Sequence, residues 1–145
     1  MIKLQNENEV IMVDDSDLDL KIAQRCFAKS KVKNKFVPLM SAGLLFAYLE
    51  DVKTKKAGVP ALILLDINMP GIDGHEALFR VRSDASFKEL PFIAMFSHSS
   101  LESDRERAMA IGANGYQVKP ISSLEYIDFF NSLINDSILS DSSQT

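Results

Sequence analysis

Five short apolar runs, at about 9–14, 35–40, 61–67, 91–96 and 115–118, alternate along the chain with segments in which apolar residues recur every three or four positions. The runs are brief, rich in Val, Ile, Leu and Phe, and bounded by Asp, Ser, Gly or Pro, a pattern that predicts strands. The segments between them predict helices. In the first, Leu18, Ile22 and Cys26 recur every four residues with Ala23 and Phe27 alongside. Leu45, Tyr48, Leu49 and Val52 form a second stripe, and Leu78, Val81 and Ala85 a narrower third. The fourth segment, about 100–111, has few apolar anchors around the polar run Glu102 to Arg107, which predicts a loosely held helix capped by Ser99-Ser100-Leu101-Glu102. The fifth, about 123–136, opens with the capping box Ser122-Ser123-Leu124-Glu125 and presents Ile127, Phe130 and Ile134 on one face.

Strict alternation of strand and helix builds a parallel sheet with helices on both faces, because each crossover is right-handed and needs a dozen or more residues. Pro38 cannot donate to a ladder, which places the second strand at an edge. That agrees with strand order 2-1-3-4-5, so the expected fold is α/β, a flavodoxin-like (βα)5 doubly wound parallel sheet. The 145 residues suit one domain, expected over 1–136, with 137–145 as a short polar tail of mostly Ser and Asp. Met69-Pro70-Gly71 with Asp73-Gly74 reads as a turn that launches the third helix.

The residues that end the strands carry the chemistry. Val10 to Val13 runs into Asp14-Asp15, Ala61 to Leu65 into Asp66, Phe92 to Phe96 into Ser97, and Tyr116 to Val118 into Lys119-Pro120. Parallel strands share one carboxyl edge, so two acidic ends, a hydroxyl and an amine converge in one pocket. Three crowded carboxylates need a cation to offset their repulsion, and Mg2+ suits hard oxygen donors while taking only one or two carboxylates directly. An Asp66 oxygen can then attack a phosphoryl group in line, with Lys119 holding its equatorial oxygens and Ser97 donating to one of them. Each residue alone also fits a cap or a solvated turn; their coincidence at one edge is what carries the reading.

Net charge is −4, and the lysines of the stretches 29–35 and 53–56 fall in helix ends and loops, so no footprint for direct DNA binding is evident. Cys26 is the only cysteine, which excludes an intramolecular disulfide. The start lacks a signal-peptide core and no apolar stretch approaches the roughly 20 residues of a membrane span, so a cytoplasmic chain without a membrane is expected. His75, after Gly74 at a helix start, is expected to face solvent.

Three stretches together resemble the receiver domains of two-component response regulators, the CheY-like superfamily: Ile11-Met12-Val13-Asp14-Asp15-Ser16, Leu64-Leu65-Asp66 through Asp73-Gly74, and Gly112-Ala113-Asn114-Gly115-Tyr116-Gln117-Val118-Lys119-Pro120. The resemblance covers nearly the whole chain and implies a single-domain, stand-alone response regulator of a phosphorelay. It implies Asp66 as phosphoacceptor, Asp15 and Asp66 as direct Mg2+ ligands with the Asn68 backbone carbonyl, and Asp14 as a ligand through water. It implies Ser97 and Tyr116 as the switch, a changed face of helix 4, strand 5 and helix 5 as the output, and a cis Lys119–Pro120 bond. It implies a sensor histidine kinase or histidine phosphotransfer protein as donor, a downstream protein target, and a monomer or weak homodimer. The chain would catalyse only its own phosphorylation and autodephosphorylation. The stretch Asp51 to Pro60 resembles the single-domain receivers that serve phytochrome-type and related hybrid kinases. Two residues depart from the family pattern: His98, usually a small residue bordering the pocket, and Gln117, usually apolar. A phosphatase of the haloacid dehalogenase type also uses a strand-end Asp and Mg2+, but needs a second Asp where this chain has Asn68. A scaffold whose pocket never turns over is the third class, separated from the first by whether phosphoryl transfer occurs.

Overall fold

The structure, a computed structural model, describes residues 1–136, so the expected tail at 137–145 lies outside the described residues. Its elements alternate as expected: β1 (Val10–Val13), α1 (Asp17–Lys29), β2 (Phe36–Leu39), α2 (Ala42–Lys53), β3 (Leu62–Leu65), α3 (Gly74–Ser83), β4 (Ile93–Ser97), α4 (Glu102–Ile111), β5 (Gly115–Val118) and α5 (Ser123–Ser132). One short 3-10 turn, Ala85–Phe87, follows α3 and was not anticipated; it takes Ala85 out of the third helix and leaves it exposed.

All strand pairs are parallel, in the order β2-β1-β3-β4-β5, with Pro38 on the edge strand opposite Met12. The three central strands are buried on both faces, which explains their continuous apolar runs. Alternate residues feed two cores. Ile11, Val13, Ile63, Leu65, Ile93 and Met95 pack with α2 and α3, while Val10, Met12, Leu62, Leu64 and Phe96 pack with α1 and α5. In the second core the rings of Phe96, Tyr126, Phe129 and Phe130 pack with centroids 5.2–6.0 Å apart, Phe96 stacked on Phe129 and edge to face with Tyr126.

Helix starts follow local hydrogen bonding. Ser16, Ser41, Asp73 and Ser122 each accept from the backbone N–H three residues on. The α5 box is reciprocal, except that Glu125 reaches the N–H of Ile121 rather than that of Ser122. The expected cap of α4 does not form: the helix begins at Glu102, so Leu101 occupies the cap position without a side-chain bond, and the Ser99 hydroxyl donates to Asp104 at 2.6 Å while accepting from the Leu101 N–H at 3.3 Å. In α1 the buried face is Leu20, Ala23, Cys26 and Phe27, and Leu18 is exposed, since the helix begins at Asp17 and turns Leu18 outward. The cis peptide bond among the described residues is Leu90–Pro91, so Lys119–Pro120 is trans, against expectation.

Two devices fix the loops near the strand ends. Gly74 opens α3 so close to the preceding strand end that a Cβ there would collide with the Asp66 carbonyl and stand 2.7 Å from the Ile67 Cα. Buried Arg82 donates to four acceptors: the carbonyls of Gly112 (2.9 Å), Phe87 (3.2 Å) and Pro91 (3.0 Å), and the Asn114 side chain (2.7 Å). Because the atoms blocking Gly74 are backbone, Gly74→Ala should lower stability by about 2 kcal/mol or more, read as a lower midpoint of urea unfolding. A midpoint within error of the parent would show that α3 can shift freely away from β3.

Candidate functional site

Parallel registration sets the site. Val13 lies beside Leu65 in the sheet, so the residues after them, Asp14-Asp15 and Asp66, leave neighbouring strands side by side. Asp14 and Asp66 are buried and Asp15 is exposed. One carboxylate oxygen from each lies within 4.8 Å of the others, a hard-oxygen cluster able to hold a small divalent cation.

Lys119 comes from the end of β5, its backbone N–H bonded to the Ser97 carbonyl at 2.8 Å. Its buried ammonium meets three carboxylates: Asp14 Oδ2 at 2.5 Å, Asp19 Oδ2 at 2.9 Å and Asp66 Oδ1 at 3.6 Å. Burial alone would lower its pKa, but its bonds to Asp14 and Asp19 and the charge of Asp66 outweigh burial and push it up, so the group stays charged. At Asp66 burial wins. Its burial, opposed by Lys119 but reinforced by the Asp14 charge, pushes its pKa to about 6.

The structure thus brings together Asp14, Asp15, Asp66 and Lys119. Ser97, fully buried at the end of β4, is joined to them through the Lys119 backbone, and its hydroxyl accepts from the Ser99 N–H at 3.3 Å. Tyr116, partly buried on β5, donates its hydroxyl to the Ser99 carbonyl at 2.8 Å. Asn68 lies exposed in the loop between β3 and α3. Gln117 turns back to the Val118 carbonyl, which satisfies a polar side chain on an edge strand.

Two findings depart from the sequence reading. His75 is buried at 2 % exposure, not solvent-facing, because the close seat of Gly74 draws it inward toward α4. Its Nε2 lies 3.4 Å from Asp104 Oδ1, and its Nδ1 has no hydrogen-bond partner among the described residues. Asp19, which sequence reasoning passed over, bonds Lys119 and also His98 Nε2 at 3.1 Å. A signal for it existed: Asp19 is an acid in the first turn of α1, the helix that starts just after the Asp14-Asp15 pair.

Residues 10–130 match the response regulator receiver domain family, and the chain belongs to that family. Among its relatives is the two-component response regulator ARR6 of Arabidopsis thaliana, 32% identical over 116 residues that make up 77% of this chain and 61% of that protein. The chain therefore spans about three fifths of that relative. Among solved structures, it is similar to the response regulator RPA3017 in red light signaling of R. palustris, with TM-score 0.77, 27% identity, and coverage of 87% of this chain and 90% of that one. The phosphorylated cyanobacterial phytochrome response regulator RcpA superposes with TM-score 0.73 at 28% identity, covering 86% and 89%. Receiver domains of two-component systems interact with sensor histidine kinases and bind Mg2+, and the oxygen cluster here fits such an ion. Among the described residues no helix is long and apolar enough to cross a membrane.

The raised pKa of Asp66 makes stability depend on pH. The folded chain binds its proton more tightly than the unfolded chain, so this contribution favours the fold in acid and is lost as pH rises from about 4 through about 6. In metal-free buffer Asp66→Asn should therefore raise the melting temperature at pH 8, by the equivalent of about 2 kcal/mol, and leave it nearly unchanged at pH 4. An equal gain at both pH values would assign the effect to packing rather than charge.

Proposed function

We propose that the chain is a single-domain response regulator that accepts a phosphoryl group on Asp66 and signals through a changed α4, β5 and α5 face. The observation that supports this most directly is the meeting of Asp66, the Asp14-Asp15 pair and the Lys119 ammonium at one sheet edge, in a chain of the receiver family. Asp66 would be the nucleophile: a carboxylate oxygen forms the new P–O bond as the P–N bond of a donor phosphohistidine breaks, and that bond's electron pair leaves on the imidazole nitrogen. Asp15, Asp66 and the Asn68 carbonyl would hold Mg2+ directly and Asp14 through water. When bound, the ion would neutralise the carboxylates and the charge on the transferred group.

Lys119 then carries the charge-paired contact to a phosphoryl oxygen, and Ser97 supplies a hydroxyl donor beside it. Ser97 and Tyr116 act as the switch. When Ser97 turns to the phosphoryl group, its bond from the Ser99 N–H is given up, and the Ser99 carbonyl that holds Tyr116 moves with the loop. The readout is the face that carries exposed Leu101, Met109 and Val118, which a downstream protein would cover. The module would catalyse only its own phosphorylation and autodephosphorylation. A cytoplasmic histidine kinase or phosphotransfer protein is the donor, of the phytochrome-associated or hybrid type by likeness to the red-light and phytochrome regulators, and the chain works as a monomer or weak homodimer without contacting DNA.

Incubation with Mg2+ and acetyl phosphate or a phosphorylated histidine kinase should add one phosphoryl mass that hydroxylamine removes. Asp66→Asn should abolish it, and labelling at the wild-type level would exclude Asp66 as the acceptor. Lys119→Ala should still accept the group while losing the change in partner affinity; a variant that signals like wild type would refute the coupling.

A further inference from the structure

Asp19 and His98 have no part in the reading above, yet both are tied to its central cation. Lys119 Nζ lies 2.9 Å from Asp19 Oδ2, against 3.6 Å from Asp66 Oδ1. The same Asp19 oxygen is met by His98 Nε2 at 3.1 Å. Asp19 stands outside the carboxylate trio that can close on one ion, which consists of Asp14, Asp15 and Asp66.

Local structure leaves Asp19 available for this contact. It is the third helical residue after the Ser16 cap, and its own N–H donates to the Ser16 hydroxyl at 3.2 Å. An acid at that position ordinarily folds back onto the N–H of the cap residue. Here Asp14 Oδ1 already accepts from the Ser16 N–H at 2.9 Å, so the Asp19 carboxylate is free to reach outward across the pocket. With 21 % of its side chain exposed and Lys119 at 1 %, Asp19 closes the ammonium off from solvent.

We propose that Asp19 is a positioning residue that holds the Lys119 ammonium back from Asp66, with His98 fixing its rotamer, and so sets how strongly the pocket takes a phosphoryl group. The inference rests on the receiver reading. An ammonium has three N–H donors. Asp14 and Asp19 engage two at hydrogen-bond distance, and the separation to Asp66 is longer than a hydrogen bond. The third donor is left for a phosphoryl group on Asp66, and the bond to Asp19 opposes any movement of the ammonium toward that group. Removing the Asp19 charge releases that ammonium toward Asp66 and makes the pocket less negative. Both effects favour an incoming anion and both disfavour a divalent cation.

The test uses the full-length protein and calorimetric titration with two probes, Mg2+ alone and then beryllofluoride in saturating Mg2+. Asp19→Asn should bind Mg2+ severalfold more weakly and beryllofluoride severalfold more tightly, an opposite-sign pair that a loss of stability would not produce. His98→Ala should move both in the same directions by less. Asp17→Asn is the control: it removes the same charge from the same helix turn, where Asp17 pairs with Lys21 at 2.9 Å. Unchanged affinities in Asp19→Asn, weaker beryllofluoride binding, or equal shifts in Asp17→Asn would overturn the proposal while leaving the receiver reading intact. A wild-type protein that binds neither probe would overturn both.

Discussion

The buried ammonium of Lys119 is the contact on which the pocket depends. Parallel pairing of β1 and β3 forces the Asp14-Asp15 pair against Asp66, and the carboxylates of Asp14 and Asp66 are nearly closed to solvent. Burial there disfavours a charged carboxylate, and the Asp14 charge beside it adds to the effect, as the raised pKa of Asp66 records. β5 lies three strands from β1, so the compensating cation has to come from a long side chain crossing the ends of β4 and β3. β4 ends in Ser97, a small residue, on that path. The cation also does not suffice. One ammonium facing Asp14, Asp19 and Asp66 leaves the cluster net negative, a state that favours a divalent partner and keeps Asp66 oxygens from being fully engaged beforehand.

Much of this architecture was legible in the chain. Strands buried on both faces have no alternation to blur, so Leu62 to Leu65 and Val10 to Val13 stood out as unbroken apolar runs, and Pro38 marked the edge. The strand-end residues followed, because in a parallel sheet sequence position at a carboxyl terminus is also position in space. The cap at Ser122 and the turn at Asp73-Gly74 that launches α3 were local events and could be read locally.

What escaped the sequence depends on partners distant in the chain. Asp19 looks like a first-turn acid until β5 delivers Lys119, one hundred residues away, to its side chain. The burial of His75 follows from the clash-limited seat of Gly74 on Asp66 and from an acid on α4, neither of which a local pattern encodes. Ser99 resembles a cap, but α4 begins at Glu102, and the Ser99 hydroxyl instead bridges the loop to Asp104 on the helix. Leu18 misled because a period of four fits a helix whose register is not yet known; the true start at Asp17 puts Leu20 inward.

Arg82 has a mechanical consequence. Its guanidinium ties the Gly112 carbonyl, just past the end of α4, to the loops around Phe87, Pro91 and Asn114. The opposite end of α4 starts without a side-chain cap, and Ala108 is the residue of this helix that is buried. The carboxyl end of α4 is thus anchored by a buried guanidinium, while its amino end is held by the single side chain of Asp104, so a force on the Ser99 loop would meet less resistance at Leu101 than at Ile111.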